Sequence, residues 1–241
     1  MSQFTEEVVD PQTLRYAHDL AQLQRLRHAY ERFLPEGLTP DAQAPAAAVR
    51  EATSLFTDLR GFTALSERFM DRPDELLTII NEHMSVVVKA IRRCDGVVEK
   101  FVGDGVFATF GARGDLQDHT QRAVAAGLAI LGSNELLNRK HAATRDFRLD
   151  VGVGIAVGRM VVGVIGPAER AELGVLGDTV NVASRLVSQA QPGEILLTEA
   201  TYMAAKGDIN PEVVGRKTLR GRSGPLVVYR IGLTHRKTAS A

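Results

Sequence analysis

The chain has 241 residues, and its 29 basic and 29 acidic residues give a formal net charge of zero. This balance gives no indication of nucleic acid or an acidic membrane surface as a partner. Because the chain contains a single cysteine, Cys94, an intrachain disulfide is excluded and a reducing compartment is expected.

Two further features bear on where the protein resides. The first ten residues include three acidic residues and no apolar core, so they do not resemble a signal peptide. The most apolar stretch, 151–165, is rich in glycine and too short to span a bilayer. We therefore expect a cytoplasmic protein with no membrane segment in this chain.

The N-terminal region is predicted to form one helix followed by a linker. Apolar residues recur at three- to four-residue intervals through 11–34. Three prolines and a glycine interrupt that pattern in 35–45. The helix either pairs with its twin in a dimer, where it could convey a signal from a sensor domain, or packs on its own domain. We divide the chain into 1–45, a dimerisation or signalling element, and 46–241, the main domain.

The main domain is predicted to mix strands and helices. The expected strands are 52–57, 97–101, 106–110, 147–157, 159–165, 194–198, 213–219 and 226–231. The expected helices are 61–70, 73–93, 118–140, 179–190 and 199–205. Strands 147–157 and 159–165 are expected to form a β-hairpin. A hairpin between helical crossovers favours an α+β sandwich with a mixed sheet over a doubly wound sheet.

The first chemical feature is the peptide 55–63, where an apolar strand ends at Asp58 and Gly61 opens a helix. A carboxylate beside the free N–H groups of a helix N-terminus is well placed to hold a metal ion and phosphates. Taken alone, Asp58 could equally be a helix cap.

The second feature is Asp104, which lies between Gly103 and Gly105 at the tip of a predicted hairpin. Glycine and aspartate form such turns without any function. If this hairpin lies beside the strand that ends at Asp58, however, the two carboxylates could clamp a pair of divalent cations.

The third feature is the peptide 177–185. Asn181 and Arg185 are four residues apart on a predicted helix and so project from one face. An amide beside a guanidinium can bind a ribose oxygen and a phosphate, although a solvent-facing pair is also common. Farther along, Arg220 and Arg222 lie among glycines and a serine, where they could bind phosphate or form a charged loop.

Taken together, the peptides 56–63, 100–104 and 176–185 resemble the three motifs of class III adenylate and guanylate cyclases, in the family's order and at its usual separations. The resemblance covers roughly 51–231. It implies a ferredoxin-like α+β sandwich with a mixed β-sheet and an added C-terminal subdomain. Two such domains would pair head to tail, so that a homodimer carries two active sites at its interface. The implied reaction converts ATP to 3′,5′-cyclic AMP and pyrophosphate.

The resemblance also implies roles for the residues of the first two motifs. Asp58 and Asp104 match the aspartates that bind two Mg²⁺ or Mn²⁺ ions, with help from the carbonyl of Leu59. Phe62 and Thr63, which follow in the first motif, are assigned to substrate binding.

Other residues would come from the partner subunit. Lys100 matches the lysine that recognises adenine. Asn181 matches the residue that positions the ribose, and Arg185 the residue that stabilises the transition state. Arg220 lies where a phosphate-contacting lysine is found, with Arg222 as a second candidate.

The sequence departs from the family's pattern at the base-selecting pair. Adenylate cyclases combine the lysine with an aspartate or a threonine, whereas the second position here is Gly174. Glycine has no side chain to bind adenine, and neither Glu172 nor Leu173 can be assigned to that task from sequence. Lys100 favours ATP because lysine can donate to adenine N1, but cyclic GMP or a pyrimidine cyclic nucleotide is an open alternative.

Two other classes of protein agree less well with the sequence. A catalytically silent, nucleotide-binding regulatory domain would be expected to lack some of the metal and transition-state positions, and all of them are filled here. A diguanylate cyclase would carry a Gly-Gly-Asp/Glu-Glu-Phe signature at the hairpin, whereas this hairpin contains Gly103-Asp104-Gly105-Val106.

Overall fold

The computed structural model describes residues 16, 18–25, 46–167, 171–205, 209–219 and 224–232. The chain separates into two compact units, Met1–Leu38 and Thr39–Ala241. In the first unit, residues 16 and 18–25 are helical, within the predicted helix 11–34. The rest of that prediction and the linker 35–45 lie outside the described residues. Tyr16, Leu20 and Leu23 are exposed apolar side chains of this helix.

The second unit contains eight strands and five helices among its described residues. The strands are β1 (Ala48–Arg60), β2 (Val97–Val102), β3 (Gly105–Phe110), β4 (Asp150–Ile165), β5 (Glu172–Leu176), β6 (Glu194–Thr198), β7 (Glu212–Lys217) and β8 (Leu226–Gly232). The helices are α1 (Phe62–Arg68), α2 (Pro73–Arg93), α3 (His119–His141), α4 (Asp178–Gln189) and α5 (Glu199–Ala205). Within the described part of the chain, no helix is long and apolar enough to cross a membrane.

All eight strands belong to one mixed sheet. Its order is β2-β3-β1-β4-β6-β8-β7, with β5 paired to β4. Strands β4 and β6 are parallel, and the other neighbours are antiparallel. The first four strands of this order, with helices between β1 and β2 and between β3 and β4, form a ferredoxin-like βαββαβ unit. The predicted α+β sandwich with added C-terminal strands is confirmed.

The two faces of the central strands bury different apolar clusters. On β4, Val151, Val153 and Ile155 pack in the larger cluster beneath α2 and α3, whereas Ala156 packs in a smaller cluster with α4. Strand β6 alternates in the same way, with Leu196 on the α4 side. Since successive side chains of a strand point to opposite faces, both faces of these strands are covered.

Helix α4 lies unusually close to β4 at Gly154. A Cβ atom at this position would be 2.4 Å from both the Ala183 carbonyl oxygen and the Val187 backbone nitrogen. Glycine therefore lets the helix backbone rest directly on the strand. This contact fixes the height of α4 above the sheet, and with it the positions of the side chains on the outer face of the helix.

The predicted hairpin at 147–165 is wrong. Residues Asp150–Ile165 form one continuous 16-residue strand. Its pairing with β1 extends past Gly158, the position of the predicted turn, so the chain does not turn back there. The hairpin partner of its C-terminal half is β5, which was not predicted. The glycines of β4 serve close packing and not a turn, so their presence misled the prediction.

Candidate active site

Asp58 lies where β1 loses one of its two neighbours. Pairing with β3 ends at Thr57, opposite Val106, whereas pairing with β4 continues to Arg60. The strand therefore does not end at Asp58, as the sequence suggested, but its β3 side opens there. The buried Thr57 hydroxyl accepts a hydrogen bond from the Val106 N–H (3.1 Å), which anchors the start of β3 just below Asp58.

The turn that carries Asp104 folds back against this open edge. Gly103 has φ of +61°, which glycine adopts without strain. A Cβ atom on Gly105 would lie 2.2 Å from the Thr57 carbonyl oxygen, so only glycine fits there. Oδ2 of Asp104 accepts a hydrogen bond from the Leu59 N–H at 2.9 Å. The structure thus brings Asp104 against β1 beside Asp58, as the two motifs predicted.

The charge of Asp104 acts on the Asp58 carboxylate. Burial raises the pKa of Asp58 above its usual value, the ion pair with Arg60 opposes that shift, and the charge of Asp104 adds to it. A bound cation would relieve this repulsion, and carboxylate oxygens are ligands that Mg²⁺ and Mn²⁺ accept. In the described part of the chain, no cluster of three or more His, Cys, Asp or Glu residues could hold a metal. Substrate oxygens would have to complete the coordination, which fits the open edge.

The remaining residues of the first motif divide between core and surface. The Leu59 side chain is buried in the larger apolar cluster, and the backbone N–H of Leu59 donates the hydrogen bond to Asp104. Helix α1 begins at Phe62, whose half-buried ring packs against the same cluster, and Thr63 is exposed. The Phe62 ring therefore serves packing. The backbone N–H groups in the first turn of a helix have no partners within the helix. Phe62 and Thr63 could therefore contact phosphate through these N–H groups.

Lys100 lies on the same face of the sheet as Asp58. It pairs with Phe107, which in turn pairs with Phe56, and the two rings stack at 4.4 Å. Residues opposite one another on neighbouring strands share a face, and so do residues two apart on one strand. The Lys100 ammonium is partly exposed and contacts Oε1 of Glu172 on β5 at 3.1 Å.

Gly174 is buried opposite Gly163 of β4. A Cβ atom there would lie 2.5 Å from Cδ1 of Ile165. A side chain at this position would therefore require the end of the Ile165 side chain to move.

Asn181 and Arg185 lie on the outer face of α4. Asn181 is exposed and Arg185 is half-buried, while Val182, Ala183 and Leu186 pack beneath them. Within the described residues neither side chain has a hydrogen-bonding or ionic partner, and nothing of this kind joins them to the two aspartates. Arg220 and Arg222 lie outside the described residues.

The profile of the adenylate and guanylate cyclase catalytic domain matches residues 45–232. The chain belongs to this family of cyclases. The matched region begins just before β1 and ends at the last residue of β8.

Relatives and solved structures agree with this assignment. The chain is 31% identical over 188 residues to an adenylate cyclase of Anabaena cylindrica and equally identical to adenylate cyclase 1 of Rhizobium meliloti. These alignments cover 74% and 77% of this chain but only 37% and 28% of the relatives. The adenylyl cyclase CyaB of P. aeruginosa superposes with a TM-score of 0.74 at 30% identity, covering 80% of this chain and 98% of that one. The guanylyl cyclase Cya2 superposes with a TM-score of 0.70 at 31% identity, covering 79% and 97%.

Sequence reasoning missed a polar network beside Lys100. The side chain of Glu99 turns inward at an irregularity in the β2–β3 register and forms an ion pair with Arg113. Its Oε1 also accepts the Thr109 hydroxyl at 2.6 Å. Strict alternation along β2 gives no signal of this irregularity, and Arg113 lies in a loop without a recognisable motif. The contact between Lys100 and Glu172 joins residues 72 positions apart and had no sequence signal either.

Proposed function

We propose that this cyclase domain converts ATP to 3′,5′-cyclic AMP and pyrophosphate as a homodimer, with two Mg²⁺ or Mn²⁺ ions at each interfacial site. The observation that carries the proposal is the placement of Asp104 against β1 beside Asp58 at an open sheet edge. A cytoplasmic location, where ATP is abundant, belongs to the same proposal.

The reaction requires no protein nucleophile. The ribose 3′-hydroxyl oxygen forms a bond to the α-phosphorus, its proton passes to solvent, and the bond from the α-phosphorus to the bridging oxygen breaks, releasing pyrophosphate. Metal ions at the two aspartates, once bound, would acidify that hydroxyl and neutralise triphosphate charge. Asp58 and Asp104 would hold these ions, and the carbonyl of Leu59 is assigned to assist them.

Asn181 and Arg185 would act on the substrate from the other subunit. Asn181 orients the ribose by hydrogen bonding, and Arg185 meets the negative charge that develops at the α-phosphoryl oxygens. Neither side chain has a hydrogen-bonding or ionic partner among the residues that the structure describes, which supports an assignment across the dimer interface. Replacing either by alanine is expected to lower transition-state stabilisation by ~2–4 kcal/mol, by analogy with the loss of one oxyanion donor. Arg220 is assigned to the triphosphate on sequence grounds alone.

Overall similarity does not select the base. An adenylyl cyclase and a guanylyl cyclase resemble this chain at nearly the same identity. The preference for ATP instead rests on Lys100, whose ammonium can donate to N1 of adenine but faces an N–H donor in guanine.

The substrate proposal is tested by supplying ATP, GTP, CTP and UTP with Mg²⁺ or Mn²⁺ and measuring pyrophosphate and cyclic nucleotide. We expect the highest kcat/KM with ATP, and no turnover by Asp58→Asn with any nucleotide. Equal turnover of GTP would refute the ATP assignment but leave the cyclase assignment intact. Nucleotide binding without pyrophosphate release would instead support a silent regulatory domain.

The N-terminal helix is proposed to help two chains pair. Its exposed Tyr16, Leu20 and Leu23 are spaced by four and three residues, as in a helix–helix seam. Deleting residues 1–45 should weaken dimerisation and lower activity at low protein concentration, measured by analytical ultracentrifugation and cyclase assay. Unchanged values for both would remove this role.

A further inference from the structure

Glu172 is placed to do what Gly174 cannot. The two residues are two apart on β5 and therefore lie on one face of the strand. Glu172 extends its carboxylate to the Lys100 ammonium, 3.1 Å away, and both side chains remain more than half exposed. A carboxylate thus stands next to the lysine assigned to the base, although the usual position for such a partner carries no side chain.

A buried network holds the two strands that present this pair. The guanidinium of Arg113 forms an ion pair with Glu99, the residue before Lys100. The same guanidinium donates to the carbonyl of Leu173, the residue after Glu172, at 3.1 Å. The Glu99 side chain is only 2% exposed, so this bridge is shielded from water. Arg113 therefore fixes the spacing between β2 and β5 from beneath the pair.

We propose that Glu172 is the second base-reading residue of this cyclase and selects adenine together with Lys100. Its carboxylate accepts a hydrogen bond from the 6-amino group of adenine, while the Lys100 ammonium donates to N1. This inference rests on the proposed function, because it concerns how the same site recognises its substrate.

The chemistry of the purine edge gives the direction of selection. Adenine presents a donor at position 6 and an acceptor at position 1, which match a carboxylate and an ammonium. If both side chains keep these positions, guanine presents its O6 acceptor to the carboxylate and its N1–H donor to the ammonium, so that neither contact can form a hydrogen bond. A site with unmatched polar groups rejects a ligand strongly, because those groups lose water without gaining a partner.

Two substitutions of Glu172 make the role testable. Glu172→Ala removes the acceptor and should lower kcat/KM for ATP at least about tenfold, with little change for GTP. Glu172→Gln provides an amide that can turn either its oxygen or its N–H₂ group toward the base, so turnover of GTP should rise relative to ATP. Both variants should fold, since exposed ion pairs contribute little to stability.

A matched control is available on α2. The ion pair of Glu75 with Arg72 has a similar length, 3.0 Å, and similar exposure, 50% and 53%, but involves no residue assigned to the site. Glu75→Gln should leave the ATP to GTP ratio of kcat/KM unchanged. Binding of 3′-deoxy-ATP and 3′-deoxy-GTP, which lack the attacking hydroxyl, should show the same pattern by titration calorimetry with each variant.

The outcomes separate this inference from the proposed function. If the wild-type protein forms no cyclic nucleotide, the proposed function fails. If it forms cyclic AMP and both Glu172 variants keep the wild-type ratio of ATP to GTP turnover, the function stands and Glu172 does not read the base. A loss that is equal for ATP and GTP would also overturn the inference, since it would indicate a structural role.

Discussion

Replacing Gly154 by alanine should damage both stability and catalysis, although the residue is in no assigned site. The new Cβ would lie 2.4 Å from two backbone atoms of α4. Because unbonded atoms normally sit about 3.5–4.0 Å apart, the helix would have to withdraw by at least about 1 Å. Overpacking of this kind lowers the free energy of unfolding by about 1–3 kcal/mol.

The same displacement would reach the outer face of α4, which carries Asn181 and Arg185. A misplacement of about 1 Å can lower a catalytic rate by around 100-fold. We therefore expect Gly154→Ala to reduce kcat for cyclic AMP formation far more than partial unfolding would explain. Urea unfolding and cyclase assays below the denaturation midpoint measure the two effects separately.

Gly132 provides the control for this substitution. It lies within α3, and a Cβ atom there would meet nothing within 4 Å. Gly132→Ala should therefore stabilise the protein by about 0.5–1 kcal/mol through helix propensity and leave kcat unchanged. If Gly154→Ala behaved like Gly132→Ala in both assays, the direct packing of α4 on β4 would be refuted.

Three other experiments test the site and its surroundings. Asp58→Asn should abolish turnover while keeping or raising the unfolding temperature, since burial raises the pKa of Asp58 and so disfavours its charged form in the folded state; a large fall in that temperature would contradict this account. Burial lowers the pKa of His83 below its usual value of 6.5. As the pH falls below about 6.5, His83 is therefore protonated in the unfolded state before it is protonated in the folded state. The free energy of unfolding then declines by at most about 1.4 kcal/mol per pH unit. His83→Gln should flatten that slope in urea unfolding between pH 5 and 7.5, and an identical slope would exclude His83 as its source. Arg113→Met should lower the free energy of unfolding by about 3–5 kcal/mol, because it leaves the Glu99 carboxylate buried without its ionic partner. Adding Glu99→Leu to this variant should restore much of the lost free energy. If the losses from the two substitutions were additive, the pair would not act as a unit.

Helix and strand limits were predictable where local chemistry marks them. Helix α2 spans Pro73–Arg93 as predicted, because proline suits the first helical turn and Gly96 follows the end. Strand β6 and helix α5 also have their predicted limits. These signals act within a few residues, so the sequence alone reveals them.

Glycines in β4 were ambiguous for a physical reason. A glycine indicates a turn when the chain needs unusual dihedral angles, and close packing when another backbone approaches. At Gly154 the approaching backbone belongs to α4, which lies some thirty residues farther along the chain. The sequence cannot state which need applies. At Gly158, where the hairpin was predicted to turn, a Cβ atom would lie 2.7 Å from the Thr179 hydroxyl oxygen of α4, and the strand continues without a turn.

Only part of the candidate site was predictable, because some of its contacts join segments that are far apart in the sequence. Asp58 and Asp104 lie in local motifs whose strands become neighbours, so their proximity followed from the pattern of elements. The contact of Lys100 with Glu172 depends instead on the register of β5, a strand that was not predicted. The catalytic roles of all these residues stay predictions.

The most direct test of the central claim mixes two strongly impaired variants, Asp58→Ala and Arg185→Ala. If each site combines aspartates from one subunit with Asn181 and Arg185 from the other, a mixed dimer holds one intact site and one doubly altered site. Random pairing of equal amounts makes half the dimers mixed, so activity should recover to about a quarter of the wild-type level. If the mixture stays as inactive as its components after subunit exchange is verified, the active site is not shared between subunits and the account is wrong.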